Sequence, residues 1–324
     1  MTSVFVTGGA GYIGSHTVRA LLRRGCEVTV FDNLSSGRRE FVGEARLLVG
    51  DLRDKEALRA ALAERPYAAA LHFASLIQVG ESYDNPRKYY EHNLVSSLNL
   101  LGALLDAGVP ALIFSSSAAV YGRPESIPIR EDHPLRPANP YGRSKAMVEE
   151  LCEDYERAHG LRSMRLRYFN AAGADPEGGL GECHDPETHL IPNIFQTALG
   201  RRPALEVFGT DFPTPDGTAV RDYIHVVDLA EAHALALERL LDGAPGAAVN
   251  LGANRGYSVR EVLDRAAKVA GRPVPCLEKP RRLGDVPVLL ASAEEAGRLL
   301  GWKPRLSDLD DILRSAWTWH SGRG

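Results

Sequence analysis

The 324 residues include only four cysteines, Cys26, Cys152, Cys183 and Cys276, and no two of them form a C-x-x-C pair. Such scatter argues against a cysteine zinc site or a disulfide framework and fits a reducing, cytoplasmic setting. No metal is expected. The chain also lacks a strong excess of either charge: 38 Lys and Arg stand against 42 Asp and Glu, a net charge of −4. Its basic residues come in pairs, such as Arg201-Arg202 and Arg281-Arg282, and not in long runs. A nucleic-acid surface is therefore not indicated, although paired arginines suit a phosphate. Long apolar runs are missing too. The uncharged stretch 107–122 holds Pro110 and three serines, too short and polar for a bilayer. The N-terminus has no charged leader or cleavage signal, and internal repeats and low-complexity linkers are absent. What is present is length enough for a full core, near the size at which chains divide into two lobes.

Apolar and β-branched runs predict strands at 3–7, 27–31, 45–49, 67–73, 111–115 and 162–168. Helical spacing predicts helices at 12–24, 54–64 (with Asp54 as N-cap), 89–106 and 144–159. Apolar strands alternating with helices predict an α/β fold: a doubly wound parallel sheet of Rossmann type, covered on both faces. The rhythm breaks in the Gly-, Pro- and Asp-rich stretch 178–215. The expected division is a dinucleotide-binding domain at 1–170, to which 218–255 returns, and a smaller substrate lobe at 171–217 and 256–324.

The first strand runs into Thr7-Gly8-Gly9-Ala10-Gly11-Tyr12-Ile13-Gly14. Glycines at such a turn let backbone approach a pyrophosphate, and the following helix N-terminus offers free N–H groups. A glycine turn without ligand explains the motif equally well when it stands alone. Here it follows a strand, opens a helix and precedes Asp32 by the offset of a ribose-binding acid. A carboxylate there favours NAD over NADP, with Arg38 and Arg39 nearby as the opposing consideration.

Tyr141-Gly142-Arg143-Ser144-Lys145 spaces Tyr and Lys four apart, one face of a helix. An ammonium near the phenol, and a cationic nicotinamide, would lower the tyrosine pKa from about 10 and make a general base. A surface tyrosine after Pro140 is the plainer alternative. Upstream, Ser115-Ser116-Ser117 closes a buried strand at the edge where open α/β sheets bind ligands.

At these motifs the chain resembles the extended short-chain dehydrogenase/reductases, and within them the UDP-galactose 4-epimerase family. The resemblance runs nearly end to end: TGGAGYIGSHT, FDNLSSG, GDLRD, HFASLIQVGES, SSSAAVYG, NPYGRSK, RYFNAAGA, THLIP, DGTAVRDYIHVVD, NLGA and RRLGDVP. It implies tightly bound NAD, a UDP-hexose substrate and a homodimer, built through helices 89–106 and 144–159. It makes Tyr141 the base, Lys145 the residue that holds the nicotinamide ribose and tunes Tyr141, and Ser117 the bridge to the sugar hydroxyl. It assigns cofactor contacts to Gly8, Gly11, Tyr12, Ile13, Gly14, Asp32, Asn33, Asp51, Leu52, Phe73, Ala74, Asn93 and Phe169, together with Tyr141 and Lys145. Around the UDP-sugar it puts Ser117, Tyr141, Asn170, His189, Leu190, Val207, Phe208, Arg221, Arg282 and Asp285.

Three positions depart from the family pattern. Ala119 replaces a common Thr, Ile77 an occasional Lys, and Leu289 stands where a bulky Tyr restricts some members to hexoses without an N-acetyl group. The rivals are epimerases for other UDP-sugars, sugar-nucleotide dehydratases and a non-catalytic NAD-binding sensor. Ala118-Ala119 occupies the place of the dehydratase Asp-Glu pair, and both Tyr141 and Lys145 are retained, so the last two rank low.

Overall fold

The computed structural model describes residues 1–322. The strands in chain order are β1 (Ser3–Thr7), β2 (Glu27–Asp32), β3 (Arg46–Val49), β4 (Ala69–His72), β5 (Ala111–Ser117) and β6 (Arg162–Tyr168). After them come β7 (Asn170–Ala172), β8 (Leu205–Phe208), β9 (Val220–His225), β10 (Ala247–Leu251), β11 (Gly256–Ser258), β12 (Cys276–Lys279) and β13 (Val288–Leu289).

Seven strands form one sheet in the order β10-β6-β5-β4-β1-β2-β3, every neighbouring pair parallel. Its centre is dry on both faces, which is why Val4, Phe5 and Val6 run consecutively without exposure. Val4 and Val6 pack with Val18 and Leu21 of helix Tyr12–Arg23 and with Leu229 and Leu237 of helix Val226–Leu241. Phe5 faces the other way, onto Leu58, Leu62, Leu100, Leu104 and Val148. The doubly wound parallel sheet expected from the sequence is present. The strand order reverses between β1 and β4. The connections leaving those two strands diverge there and open a crevice at their carboxyl ends.

Two helices differ from their expected limits in a useful way. The helix expected at 144–159 begins at Pro140, because Asn139 caps it by accepting from the Gly142 N–H at 2.7 Å and proline suits the first helical position. Tyr141 is thereby part of the helix that carries Lys145. The helix expected at 89–106 runs from Pro86 to Asp106 and contains a π-helical stretch, Tyr90–Val95, which sequence periodicity does not reveal.

A second sheet centres on β9, with β11 antiparallel on one side and β7 and β13 parallel along the other. A separate parallel pair joins β8 and β12. Within 218–255, helix Val226–Leu241 and β10 lie against the large sheet, whereas β9 pairs in the second one. The smaller sheet is backed by helices Leu190–Ala198, Val259–Ala270 and Leu309–Ser321 around Ile194, Phe195, Tyr257, Val262 and Leu313. Among the described residues no helix is long and apolar enough to cross a membrane.

Candidate active site

The glycine turn after β1 is shaped by close approach. Gly8 has φ +72°, and a Cβ there would sit 2.4 Å from the Ala74 backbone nitrogen of the neighbouring β4 connection. A Cβ on Gly14 would meet the Gly8 carbonyl oxygen at 2.2 Å. Both positions need glycine for the turn and the helix to nest. The N-cap of helix Tyr12–Arg23 is Gly11, which offers no side chain to the first N–H groups. That leaves an uncapped positive helix end facing the crevice, a fit to a dinucleotide pyrophosphate.

Asp32 ends β2 and is 7% exposed. Its carboxylate accepts from the Ala10 N–H at 3.0 Å and the Leu34 N–H at 2.8 Å, so it fixes the turn while keeping lone pairs for ribose hydroxyls. Burial raises its pKa, and those two backbone donors oppose the rise. Asn33 donates to Asp51 at 3.0 Å, and Asp51 pairs with Arg53 at 2.8 Å, which holds its carboxyl well below the usual range.

Several of the expected cofactor residues turn out to have side chains engaged with protein. The Tyr12 hydroxyl donates to the Gly173 carbonyl at 2.6 Å and ties the first helix to the β7 connection. Ile13 packs on the core on one face of the sheet, Leu52 is buried in that on the other, and the Phe73 ring lies tilted against the His233 ring, 4.8 Å between centres. Asn93, on the π-helical stretch, accepts from the Leu76 N–H at 2.8 Å and donates to Leu76 O and Ser144 Oγ. It is a staple that holds the β4 connection against the crevice.

At the end of β5 the chemistry-bearing groups converge. Tyr141 is 9% exposed, with the Ser117 hydroxyl near enough to influence its phenol. Lys145 is 2% exposed; its Nζ donates to Ser75 Oγ at 2.7 Å and Ser115 O at 2.8 Å, and lies 6.0 Å from the Tyr141 ring centre. The lysine therefore acts on the phenol through space and not by direct contact. The expected lowering of the Tyr141 pKa is not reached by the protein alone: burial raises it, and Ser117 opposes the rise. Burial likewise lowers Lys145 to about 7, partly offset by Glu149. Sequence reasoning missed Ser75 and Glu149. Glu149 lies one turn beyond Lys145, bonds Ser116 Oγ, and holds Arg167 in a buried ion pair at 2.5 Å. An acid at helical spacing from Lys145, with an arginine inside the sixth strand, is the signal that was available. Phe169 and Leu289 both pack on the Val120, Tyr121 and Ala146 cluster behind this end.

Across the crevice the second sheet presents Arg221 on β9 directly opposite Leu289 on β13. Burial lowers the Arg221 pKa, with Asp285 pulling it back up. Arg282 pairs with Asp285 at 3.1 Å and lies over the Phe208 ring, 5.2 Å from its centre. Asn170 donates to the Asp222 carbonyl at 2.8 Å. Val207 points into the core of this lobe, and Leu190 packs on the same core. His189, the N-cap of helix Leu190–Ala198, turns Nδ1 toward Glu182 and Glu187 and leaves the rest of its ring half exposed. The arrangement is a buried hydroxyl and amine pair beside a glycine cradle, with guanidinium groups at the far end. It can move a proton at one end of a ligand and hold an anion at the other.

Comparison with known proteins agrees with this geometry. Residues 4–252 match the model of the NAD dependent epimerase/dehydratase family. A UDP-glucose 4-epimerase of Rhizobium meliloti is 50% identical over 321 residues, covering 99% of this chain and 98% of its own length. The crystal structure of UDP-glucose 4-epimerase from Brucella ovis in complex with NAD superposes with a TM-score of 0.96 at 46% identity, covering 98% of each chain. That of UDP-glucose 4-epimerase from Stenotrophomonas maltophila, with bound NAD and formylated UDP-arabinopyranose, gives 0.95 at 42% identity, covering 99% of this chain and 98% of the other.

Proposed function

This chain belongs to the NAD dependent epimerase/dehydratase family, and we propose that it inverts C4 of a UDP-hexose, interconverting UDP-glucose and UDP-galactose. It is an isomerase that works with NAD. The observation that carries the substrate reading is the pairing of a buried Tyr141 and Lys145 beside Ser117 with a cationic Arg221–Arg282 end across one crevice.

The cradle at Gly8–Gly14 with Asp32 fits the dinucleotide, its pyrophosphate at the uncapped helix end and its ribose at the carboxylate. NAD, when bound, supplies a reversible two-electron acceptor at the sugar C4, so that a 4-keto sugar forms and is reduced again. Tyr141 takes the proton from O4 and returns it. Ser117 holds O4 in line with the phenol. Lys145, pinned by Ser75 and Ser115, keeps its ammonium facing the dinucleotide ribose and adds positive potential near the phenol. Arg221 and Arg282 hold the diphosphate, and Asp285 the uridine ribose. Because the nucleotide is anchored and the hexose is not, the keto sugar turns over and presents its opposite face.

The reading extends to a homodimer and a cytoplasmic site of action. Helix Ser96–Asp106 and the π-helical stretch before it leave Val95, Leu98 and Leu105 38–45% exposed along one side, apolar surface that a second copy would cover. Sedimentation at micromolar concentration should give twice the chain mass; a monomer would remove the dimer. None of the four cysteines is in a disulfide, which supports a reducing compartment.

The decisive experiment is incubation of the purified protein with UDP-galactose, without added NAD, while UDP-glucose is followed by NMR. Conversion is expected. No conversion, even with NAD added, would sink the hexose reading. A second reading, an N-acetylhexosamine or pentose carried on UDP, is favoured by Leu289, whose side chain is smaller than a tyrosine on the wall behind Ser117.

A further inference from the structure

Outside the reacting centre, the loop between β7 and helix Leu190–Ala198 gathers Glu182, His184, Glu187 and His189. One ligand atom from each lies within 4.8 Å of all the others. The Nδ1 of His184 is 3.2 Å from Glu182 Oε1 and 3.8 Å from Glu187 Oε2. The Nδ1 of His189 is 2.6 Å from Glu182 Oε1 and 3.3 Å from Glu187 Oε1. A tetrahedron with metal–ligand bonds of about 2.0–2.1 Å has edges of about 3.3 Å. Two of these four separations, 3.2 and 3.3 Å, fall close to that edge.

The orientation of the atoms is a separate observation. Glu182 Oε1, His184 Nδ1 and His189 Nδ1 are all buried, and none makes a hydrogen bond of acceptable geometry despite the short distances. Glu182 is the most telling of them, since its side chain is only 4% exposed and its free oxygen aims into the cluster. Buried polar atoms normally find partners, so three that converge on one point without bonding mark a place for a cation. The scaffold is fixed from outside. Trp319 donates to the Glu182 carbonyl at 2.8 Å, and Glu187 Oε1 accepts from the Thr188 and His189 N–H groups at 2.8 and 2.9 Å.

We propose that Glu182, His184, Glu187 and His189 form a binding site for one zinc ion, which clasps this loop onto the start of helix Leu190–Ala198. Two imidazoles with two carboxylates suit zinc better than magnesium or calcium, which prefer all-oxygen shells. Both histidines offer Nδ1, Glu182 offers Oε1, and Glu187 one of its two oxygens. The sparse cysteines exclude only a thiolate site; this one uses none. Without metal the same atoms form a charged cluster: burial disfavours the imidazolium forms, but the two carboxylates outweigh it and raise His184 to about 9 and His189 to about 10. Zinc would displace those protons.

The test is calorimetric titration of the chelator-stripped protein with zinc chloride, and separately the absorption spectrum with cobalt chloride. One equivalent of zinc with sub-micromolar affinity is expected, and cobalt should give the intense visible bands of a four-coordinate nitrogen and oxygen site. The double variant Glu182→Gln, His184→Asn should lose the titration, whereas Cys183→Ser should keep it. Circular dichroism of each variant in chelator confirms its folding, and the cobalt spectrum of the unaltered protein stands independently of any variant. No heat of binding, or binding unchanged in the double variant, would overturn the site. So would a thiolate-to-cobalt charge-transfer band that Cys183→Ser removes.

Discussion

The two ends of the crevice are built by opposite means. At the Tyr141 end the tyrosine, the lysine and the acid behind them are nearly dry: Tyr141 is 9% exposed, Lys145 2% and Glu149 1%, and burial is the first cause of each pKa shift of the tyrosine and the lysine. At the Arg282 end that guanidinium is 58% exposed, Arg281 is 41% exposed and the adjacent Leu283 76%, with only Arg221 set deeper. A dry site makes each charge and hydrogen bond strong and holds a proton-transfer geometry. An exposed site gives weaker, salt-sensitive attraction that recruits a diphosphate and lets it go. Chemistry and anchoring are thus separated in space and in the dielectric around them.

Tyr141→Phe breaks the dry end outright. Removing the hydroxyl should lower turnover by about 10²–10⁴-fold, the range of a lost acid–base group, while NAD stays bound. Single-turnover kinetics with cofactor absorbance measured in parallel would decide it. Turnover within tenfold of the parent would show that another group moves the O4 proton.

Lys145→Met sharpens the same end by separating its function from its stability. Turnover should fall, yet the fold should become more stable by several degrees in Tm, because a buried ammonium is replaced by an apolar chain of similar length. The sign follows from the lowered pKa of about 7. Between about 7 and the unfolded value near 10.5, the unfolded chain holds a proton that the folded chain has released, so native stability rises with pH through that window. The burial cost is complete below pH 7 and fades as the unfolded lysine also deprotonates. Melting curves at pH 6 and pH 9.5 should show the variant's advantage largest at the lower pH; an advantage independent of pH would mean Lys145 is not the titrating group.

The dry end was also the more legible in sequence. Its elements are long, apolar and regular, so β1, β2, β5 and β6 fall within two residues of their expected limits. The start of helix Pro140–His159 was obscured because Pro140, Gly142 and Arg143 break apolar periodicity, although Asn139 and Pro140 together spell a cap. Ser75 could not be found from spacing, since it reaches Lys145 across 70 positions in sequence. The second lobe was harder: β7, β11 and β13 have two or three residues each and pair with a strand far away in the chain, so no local period announces them. Its arginines were named through resemblance, and only the fold shows that one of them, Arg221, is placed opposite Leu289.

Arg282→Ala tests the exposed end. The KM for UDP-hexose should rise about tenfold, equivalent to about 1.4 kcal/mol, with kcat nearly unchanged, because the contact is the same in ground and transition states. Raising the ionic strength should weaken binding by the parent more than by the variant. A fall in kcat with KM preserved would place Arg282 in the chemistry and blur the distinction between the ends.

Leu289→Tyr probes the seam where the two ends meet. Leu289 is half-buried, sits in register with Arg221, and packs with Phe169 on the wall behind Ser117. A larger ring there would intrude on the space beside the hexose. An N-acetyl group at C2 needs that space, and a hydroxyl does not. The variant should therefore reduce kcat/KM for a UDP-N-acetylhexosamine about tenfold relative to the UDP-hexose, a steric effect of the size usual for one misplaced group. Competition between the two substrates in one reaction reads the ratio directly and cancels differences in active fraction. An unchanged ratio would show that substrate breadth is set elsewhere, and that the wall behind Ser117 serves the fold of the dry end alone.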